Sequence, residues 1–155
     1  MNNINDKANG IIINGARTDY LFRLATKGLI VNDDGKVLVV KEHGRDWWDL
    51  PGGGMEHGES IKEALARELY EEVMLQGDFS YQVLLVEEPQ LLKSELNLWQ
   101  VRMMFVVKPQ NMKFSPGPDG DEVVFMEPEF FKGSKLRTDK EIYKYWQAAK
   151  EQKLI

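Results

Sequence analysis

The sequence predicts a single α/β domain in which a mixed β-sheet lies between helices. Five short segments have the composition of strands, and two longer segments have the spacing and the start signals of helices. Because strand and helix segments alternate along the chain, a layered α/β architecture is the expected fold class. A chain of 155 residues is also long enough for one domain with a substantial core.

The predicted strands are apolar runs bounded by turn residues. Residues 28–31 and 37–40 flank an Asn-Asp-Asp-Gly turn, which predicts two neighbouring strands of a hairpin. Residues 81–86, 98–107 and 122–126 have strand composition, and a turn at residues 116–120 precedes the last of them.

The two ends of the chain are interpreted differently. Residues 1–20 are predicted to be an N-terminal arm or to hold a short strand at residues 11–13, whereas residues 21–155 form the domain. The polar N-terminus has no secretion-signal pattern, cysteine is absent and no apolar run could cross a bilayer, so we expect a cytoplasmic protein without a membrane partner. A net charge of -5 argues against a nucleic-acid polymer as partner. Homodimerisation is left open.

The first predicted helix follows a glycine-rich loop at residues 42–58. Ser60 and Glu63 form a capping box, and the helix then continues to about Val73. A second helix is predicted to begin at residues 138–141, where Thr138 and Glu141 have capping-box spacing. The apolar stripe that follows is typical of core packing.

Three carboxylates converge at the margin of the buried face of the first helix. At about 100° per residue, Glu72 projects between Ile61 and Leu65, with Glu68 beside it and Glu71 a little further round. Raised pKa values, Arg67 or a bound cation could compensate for such a cluster. For an isolated acidic helix, a solvated charged face is the ordinary alternative, but the adjacent glycine loop favours a metal and phosphate site.

These residues resemble the Nudix box. The matching positions are Gly53, Glu59 and the run Arg67-Glu68-Leu69-Tyr70-Glu71-Glu72-Val73, and the wider resemblance covers about residues 24–130. Met74 stands where the family has a glycine, which suggests that the helix continues, as far as Gly77, or ends in another way.

The resemblance implies the Nudix α/β/α sandwich and metal-dependent hydrolysis of a phosphoanhydride bond. The substrate would be a nucleoside diphosphate linked to another moiety: a nucleotide sugar, ADP-ribose, a dinucleoside polyphosphate or a nucleoside triphosphate. Carried onto this chain, Glu68, Glu71, Glu72 and the Gly52 carbonyl would bind Mg²⁺ or Mn²⁺. Arg67 would orient the glutamates, and Glu59 would brace the loop.

Other residues are candidates for the remaining roles. For the general base, Glu68 and Glu122 are preferred, followed by Glu87 and Glu88. Candidates for substrate contacts are Gly53, Gly54, Lys41, Arg45 and Trp47, of which Trp47 would stack on a base. The competing hypothesis is a nucleotide-binding or sensor module that uses the same fold without turnover. Isoprenoid isomerase chemistry on this fold needs a cysteine, which the chain lacks.

Overall fold

The structure is a computed structural model that describes residues 22–94 and 98–155. The strands of this part are β1 (Phe22–Leu29), β2 (Val37–Glu42), β3 (Phe79–Val86), β4 (Gln90–Lys93), β5 (Leu98–Pro109) and β6 (Gly120–Met126). The helices are α1 (Ile61–Val73), α2 (Glu129–Lys132) and α3 (Arg137–Glu151). The predicted arm or strand in residues 1–20 lies outside the described residues.

The strands are divided between a mixed sheet and an antiparallel pair. In the mixed sheet β5 is central: β1 pairs with it in parallel, and β3 and β4 pair with it in antiparallel orientation. The second sheet consists of β2 and β6, which are antiparallel. The fold is therefore α/β with a mixed sheet, as the sequence predicts.

The predicted hairpin exists only near its turn. The backbone N–H of Asn32 donates to the carbonyl of Lys36 at 3.0 Å, and that of Leu38 donates to Ile30 at 2.9 Å. Beyond this point β1 and β2 diverge, because the glycine loop runs between them. Residue 49 bridges Val40 of β2, and residue 54 bridges Ala25 of β1. The predicted runs 28–31 and 37–40 are therefore neighbours next to the turn, but the strands that contain them pair with other partners, β1 with β5 and β2 with β6.

Alternation along β2 places its side chains in two separate cores. Val37 and Val39 pack on the side of α3, and Leu38 and Val40 pack on the side of α1. Because all four are buried, β2 lies inside the molecule with a helix on each face. The sandwich that the resemblance implies is confirmed.

Helix α1 begins as predicted, because both hydrogen bonds of the capping box between Ser60 and Glu63 are present. It ends at Val73, and Met74 adopts the left-handed conformation, with φ 53° and ψ 38°. The Met74 N–H donates to the Tyr70 carbonyl at 3.0 Å. The suggested continuation to Gly77 is therefore wrong: a methionine occupies the backbone conformation that the family glycine would adopt.

Helix α3 begins earlier than predicted. Its N-cap is Leu136, which makes no side-chain cap, so Thr138 lies inside the helix and the predicted capping box is wrong. The N–H of Leu136 instead donates to Ser134 Oγ at 3.1 Å. The core stripe is confirmed, because Ile142, Tyr145 and Ala149 are buried. None of the described helices is long and apolar enough to span a membrane.

The left-handed conformation of Met74 predicts a gain in stability from Met74→Gly. A residue with a Cβ is disfavoured in this conformation by about 1–2 kcal/mol, and glycine avoids that cost. Part of the gain is lost, because glycine increases the conformational entropy of the unfolded chain. We therefore expect the free energy of unfolding of Met74→Gly to exceed that of Met74→Ala by about 1 kcal/mol in urea titrations. Met74→Ala is the control, because it shortens the side chain but keeps the Cβ. Equal stabilities of the two variants would contradict the assigned backbone conformation.

Candidate active site

A cleft of about 630 Å³ opens where the glycine loop passes between β1 and β2. It is lined by residues of β1, β2, the glycine loop, α1, β4 and β5, together with Asp119. The lining is predominantly polar and contains both signs of charge. Its acids are Glu42, Asp49, Glu68, Glu72 and Asp119, and its bases are Arg23, Lys27, His43, Arg45 and Arg102.

The glycine loop forms one wall of the cleft and is bonded to β1. The N–H groups of Thr26 and Gly28 donate to the carbonyls of Gly53 and Pro51, each at 2.8 Å. At Gly52, φ is 132°, and a Cβ there would lie 2.1 Å from the Thr26 carbonyl oxygen. Position 52 therefore requires glycine both for its backbone conformation and for its contact with β1.

Arg67 joins helix α1 to the glycine loop. Its guanidinium donates to both carboxylate oxygens of Glu59, at 2.6 and 3.0 Å, and to the Gly54 carbonyl at 2.9 Å. It also donates to Glu68 at 2.7 Å and to Glu71 at 3.2 Å. The side-chain hydrogen bond from Arg67 lowers the pKa of Glu59 to about 2. These contacts hold the glycine loop and two glutamates of α1 to one side chain.

Glu72 is the buried acid of the site. It is 4% exposed, and one of its oxygens accepts from the Gly52 N–H at 2.9 Å. Burial raises its pKa to about 8, although the positive charge of Lys27 acts in the opposite direction. Arg67, one of the groups that could compensate the cluster, makes no hydrogen bond to Glu72, because its side-chain partners are Glu59, Glu68 and Glu71. The basic side chain whose positive charge lowers the pKa of Glu72 is Lys27.

The turn before β6 supports the end of α1 that carries the acids. The N–H groups of Gly117 and Asp119 donate to the carbonyls of Glu72 and Glu71 at 3.1 and 2.9 Å. A Cβ at Gly117 would lie 2.2 Å from the Glu71 carbonyl oxygen. The predicted turn therefore satisfies helix-end carbonyls, and it also brings Asp119 to the cleft.

Arg67 binds Glu68 and Glu71, whereas Glu72 is bonded to the Gly52 N–H. Within residues 22–94 and 98–155, no three acidic or histidine side chains are arranged to hold a metal ion. The chemistry of the donors nevertheless fits a hard divalent cation. All are oxygens, and burial raises the pKa of Glu68 as well as of Glu72. Among the described residues, no group donates a hydrogen bond to the Gly52 carbonyl, so this oxygen is available as a ligand. Such a cation would have to compete with Arg67 for Glu68 and Glu71.

Lys27 is a site residue that the sequence interpretation missed. Its side chain is buried, and its ammonium donates to Asp49 at 3.0 Å and to the Leu50 carbonyl at 2.9 Å. Burial lowers its pKa, but Asp49, Glu72 and Glu42 outweigh that effect, so the net direction is upward. A lysine within a largely apolar strand was the available signal, since a buried charge needs partners nearby.

Arg23 and Arg102 were also missed, and their surroundings differ. Arg102 donates to Glu87 at 2.5 Å and to Glu141 at 3.0 Å, and Tyr145 also bonds to Glu87. Its charge is therefore already matched by carboxylates. The guanidinium of Arg23 lies against Gly54 and has no acidic partner among the described residues.

The structure gathers some predicted site residues and separates others. Those that line the cleft are Gly52, Gly53, Gly54, Arg45, Glu68 and Glu72, and Arg67, Glu59 and Glu71 lie directly behind them. Lys41, Trp47 and Glu122 are not part of the lining. Lys41 pairs with Glu122 at 3.1 Å on neighbouring strands. Of the other base candidates, Glu87 is bound by Arg102 and Tyr145, and Glu88 is exposed.

Comparison with known proteins identifies the family. The NUDIX domain matches residues 21–148, so the chain belongs to the Nudix family. It is similar in structure to a MutT protein from Methanosarcina mazei Go1, with a TM-score of 0.61 and 22% identity over 85% of this chain and 96% of that one. The NUDIX domain of Shewanella oneidensis NrtR, complexed with ADP ribose, gives a TM-score of 0.66 at 16% identity over 85% and 88% of the two chains.

Curated relatives match only part of the chain. An RNA pyrophosphohydrolase from Shewanella frigidimarina is 44% identical over 57 residues, which are 37% of this chain and 33% of the relative. One from Halorhodospira halophila is 51% identical over 47 residues, which are 30% and 26% of the two chains. The matched segment thus spans about a third or less of these relatives, and the likeness to solved structures concerns the fold alone.

The raised pKa of Glu72 predicts a pH effect on the stability of the metal-free protein. Between the ordinary pKa of 4.5 and the folded-state value of about 8, the folded state holds a proton that the unfolded state has lost. The contribution of Glu72 to stability therefore decreases as pH rises through this window. In chelator, Glu72→Gln should gain stability relative to wild type from pH 5 to pH 8, as measured by urea unfolding. The exposed variant Glu151→Gln is the control, and a constant difference between Glu72→Gln and wild type would refute the prediction.

Proposed function

We propose that this protein is a metal-dependent pyrophosphohydrolase that cleaves a phosphoanhydride bond in a nucleoside diphosphate derivative. The observation that carries the proposal is the position of Glu72. An acid that is 4% exposed borders a cleft beside Glu68, held by a backbone N–H of the glycine loop. Burying a carboxylate costs free energy of folding. A catalytic role for Glu72 explains why the protein keeps such a group, whereas a purely structural role does not.

Different residues would position the glycine loop and accept the proton. Arg67 and Glu59 hold the loop against α1, so that Gly53 and Gly54 keep their places in the cleft wall. Glu68 is the base candidate that lines the cleft, and there it would accept the proton of the attacking water. Glu122 remains a prediction for that role, from a position outside the lining.

A divalent cation, Mg²⁺ or Mn²⁺, would be held by Glu68, Glu71, Glu72 and the Gly52 carbonyl. When bound, it supplies neutralisation of the diphosphate and a lower pKa for the attacking water. We further propose that residues 21–155 function as one domain and that the protein is cytoplasmic.

The substrate is proposed at the level of its class. Similar proteins are named RNA pyrophosphohydrolase, ADP-ribose pyrophosphatase and UDP-X diphosphatase, so the shared feature is a nucleotide diphosphate. The deciding experiment is product analysis with Mg²⁺ or Mn²⁺ across nucleotide sugars, ADP-ribose, dinucleoside polyphosphates, nucleoside triphosphates and 5′-triphosphorylated RNA. Tight binding of one compound without turnover would support the sensor alternative instead.

Hydrolysis should depend on a divalent cation. The acids of the cleft repel a diphosphate unless a positive charge lies between them, so excess chelator should reduce the rate to background. Added Mg²⁺ or Mn²⁺ should restore it, and Mg²⁺ should also raise the melting temperature of the wild type more than that of Glu72→Gln. Full turnover in excess chelator would exclude the proposed chemistry.

Replacing Glu72 should impair catalysis far more than folding. Glu72→Gln keeps the size of the side chain and the oxygen that accepts from Gly52, but it removes the charge that would bind the cation. We expect the rate to fall on the order of a hundredfold or more, with a native melting transition. Met74→Gly, which lies beyond the acids, should stay within a few-fold of wild type. Near-normal rates for Glu72→Gln on an authentic substrate would show that this helix is not the metal site.

A further inference from the structure

Arg23 lines the cleft, but the proposed reaction assigns no role to it. Among the bases that line the cleft, Lys27 pairs with Asp49, His43 with Asp121 and Arg45 with Glu42. Arg102 is held by two carboxylates. Within the described residues, Arg23 alone of these bases has no hydrogen bond or ion pair. An unpaired guanidinium facing a cleft is available for a bidentate contact with a phosphate.

The guanidinium of Arg23 rests on the backbone of Gly54. A Cβ built at Gly54 would lie 2.3 Å from Nη2, 2.7 Å from Nε and 2.8 Å from Cζ of Arg23. The missing side chain of Gly54 therefore creates the space that Arg23 fills. Position 54 needs glycine for this reason and not for its backbone angles, because its φ lies outside the left-handed region.

The backbone under Arg23 cannot easily move away. Gly54 accepts from Arg67 at 2.9 Å, and the N–H of its neighbour Met55 donates to the Leu24 carbonyl at 2.9 Å. Gly54 also bridges Ala25 of β1. A side chain at position 54 would consequently displace the end of Arg23, which is flexible, and leave the loop in place.

Arg23 lies close to the proposed reaction centre. Gly53 and Gly52, the two residues before Gly54, contact the carboxylates of Glu68 and Glu72. Two Cα steps span at most ~7.6 Å, which is comparable to the length of a diphosphate group. The acids and the unpaired guanidinium therefore contact consecutive residues of the loop and line the same cleft, at a spacing on the scale of a diphosphate.

We propose that Arg23, seated on Gly54, is the residue that binds the phosphate of the substrate farthest from the acidic helix. The inference rests on the proposed function, because it takes this cleft as the substrate site. It makes Arg23 a binding residue and Gly54 the position that orients it. One phosphate then faces the acidic helix and the other faces Arg23, so Arg23 sets the direction in which the substrate lies.

Calorimetric titration with inorganic pyrophosphate in Mg²⁺ tests the proposal apart from turnover. Arg23→Ala should weaken affinity on the order of ten- to a hundredfold, the range for a hydrogen-bonded charge. Gly54→Ala should weaken it similarly, and the double variant should be no worse than Arg23→Ala, since both changes remove one contact. Lys113→Ala removes an exposed cation that does not line the cleft and should leave affinity unchanged.

The outcomes separate this proposal from the proposed function. Wild-type affinity in Arg23→Ala, additive losses in the double variant, or no binding of pyrophosphate by the wild type would each overturn the role of Arg23. If the wild type hydrolyses a substrate but Arg23→Ala changes neither KM nor pyrophosphate affinity, the function stands and the inference fails. If pyrophosphate binds through Arg23 but no compound is hydrolysed, the proposed function fails and Arg23 remains an anion-binding residue.

Discussion

The candidate site depends on the five hydrogen bonds of the Arg67 guanidinium. Arg67 lies on α1 and donates to Glu59 and to the Gly54 carbonyl, so these bonds fix the glycine loop to the helix. It also donates to Glu68 and Glu71 of the same helix. A planar group with donors in a fixed arrangement can satisfy several acceptors at once, which a lysine ammonium cannot do with the same geometry. Because the loop is also bonded to β1, the position of α1 relative to the sheet follows from these contacts.

The same arrangement explains why charge is distributed unevenly over the acids. Arg67 compensates Glu59, Glu68 and Glu71, and the turn before β6 occupies the end of α1. Glu72 is left with Lys27, which it shares with Asp49. Arg67 and Lys27 thus face more carboxylates than they can pair, and Glu72, the most buried of them, is the one whose ionisation burial opposes most. A divalent cation is the simplest means of balancing this excess of negative charge.

Helix α1 could be predicted from the sequence because its determinants are local. The capping box lies within four residues, and the burial of Glu72 follows from the helical repeat and the apolar positions around it. The end of the helix could not be predicted in the same way. Met74 takes a conformation that its side chain disfavours, because the backbone hydrogen bonds of residues 74 and 75 to the last turn outweigh that cost. The short elements β4 and α2 have four residues each, too few to show a period.

The basic half of the cleft could not be predicted because it depends on contacts between distant segments. Arg23 and Arg102 come together only through the parallel pairing of β1 with β5, in which Arg23 is opposite Gln100 and Ala25 is opposite Arg102. The sequence suggested instead that β1 pairs with β2, a local hairpin that the glycine loop opens. The glycine loop is therefore bonded to α1 through Arg67, and it separates β1 from β2, so that residues of β1 line the cleft. The motif identifies where the acids lie, whereas the strand pairing determines which basic side chains line the cleft with them.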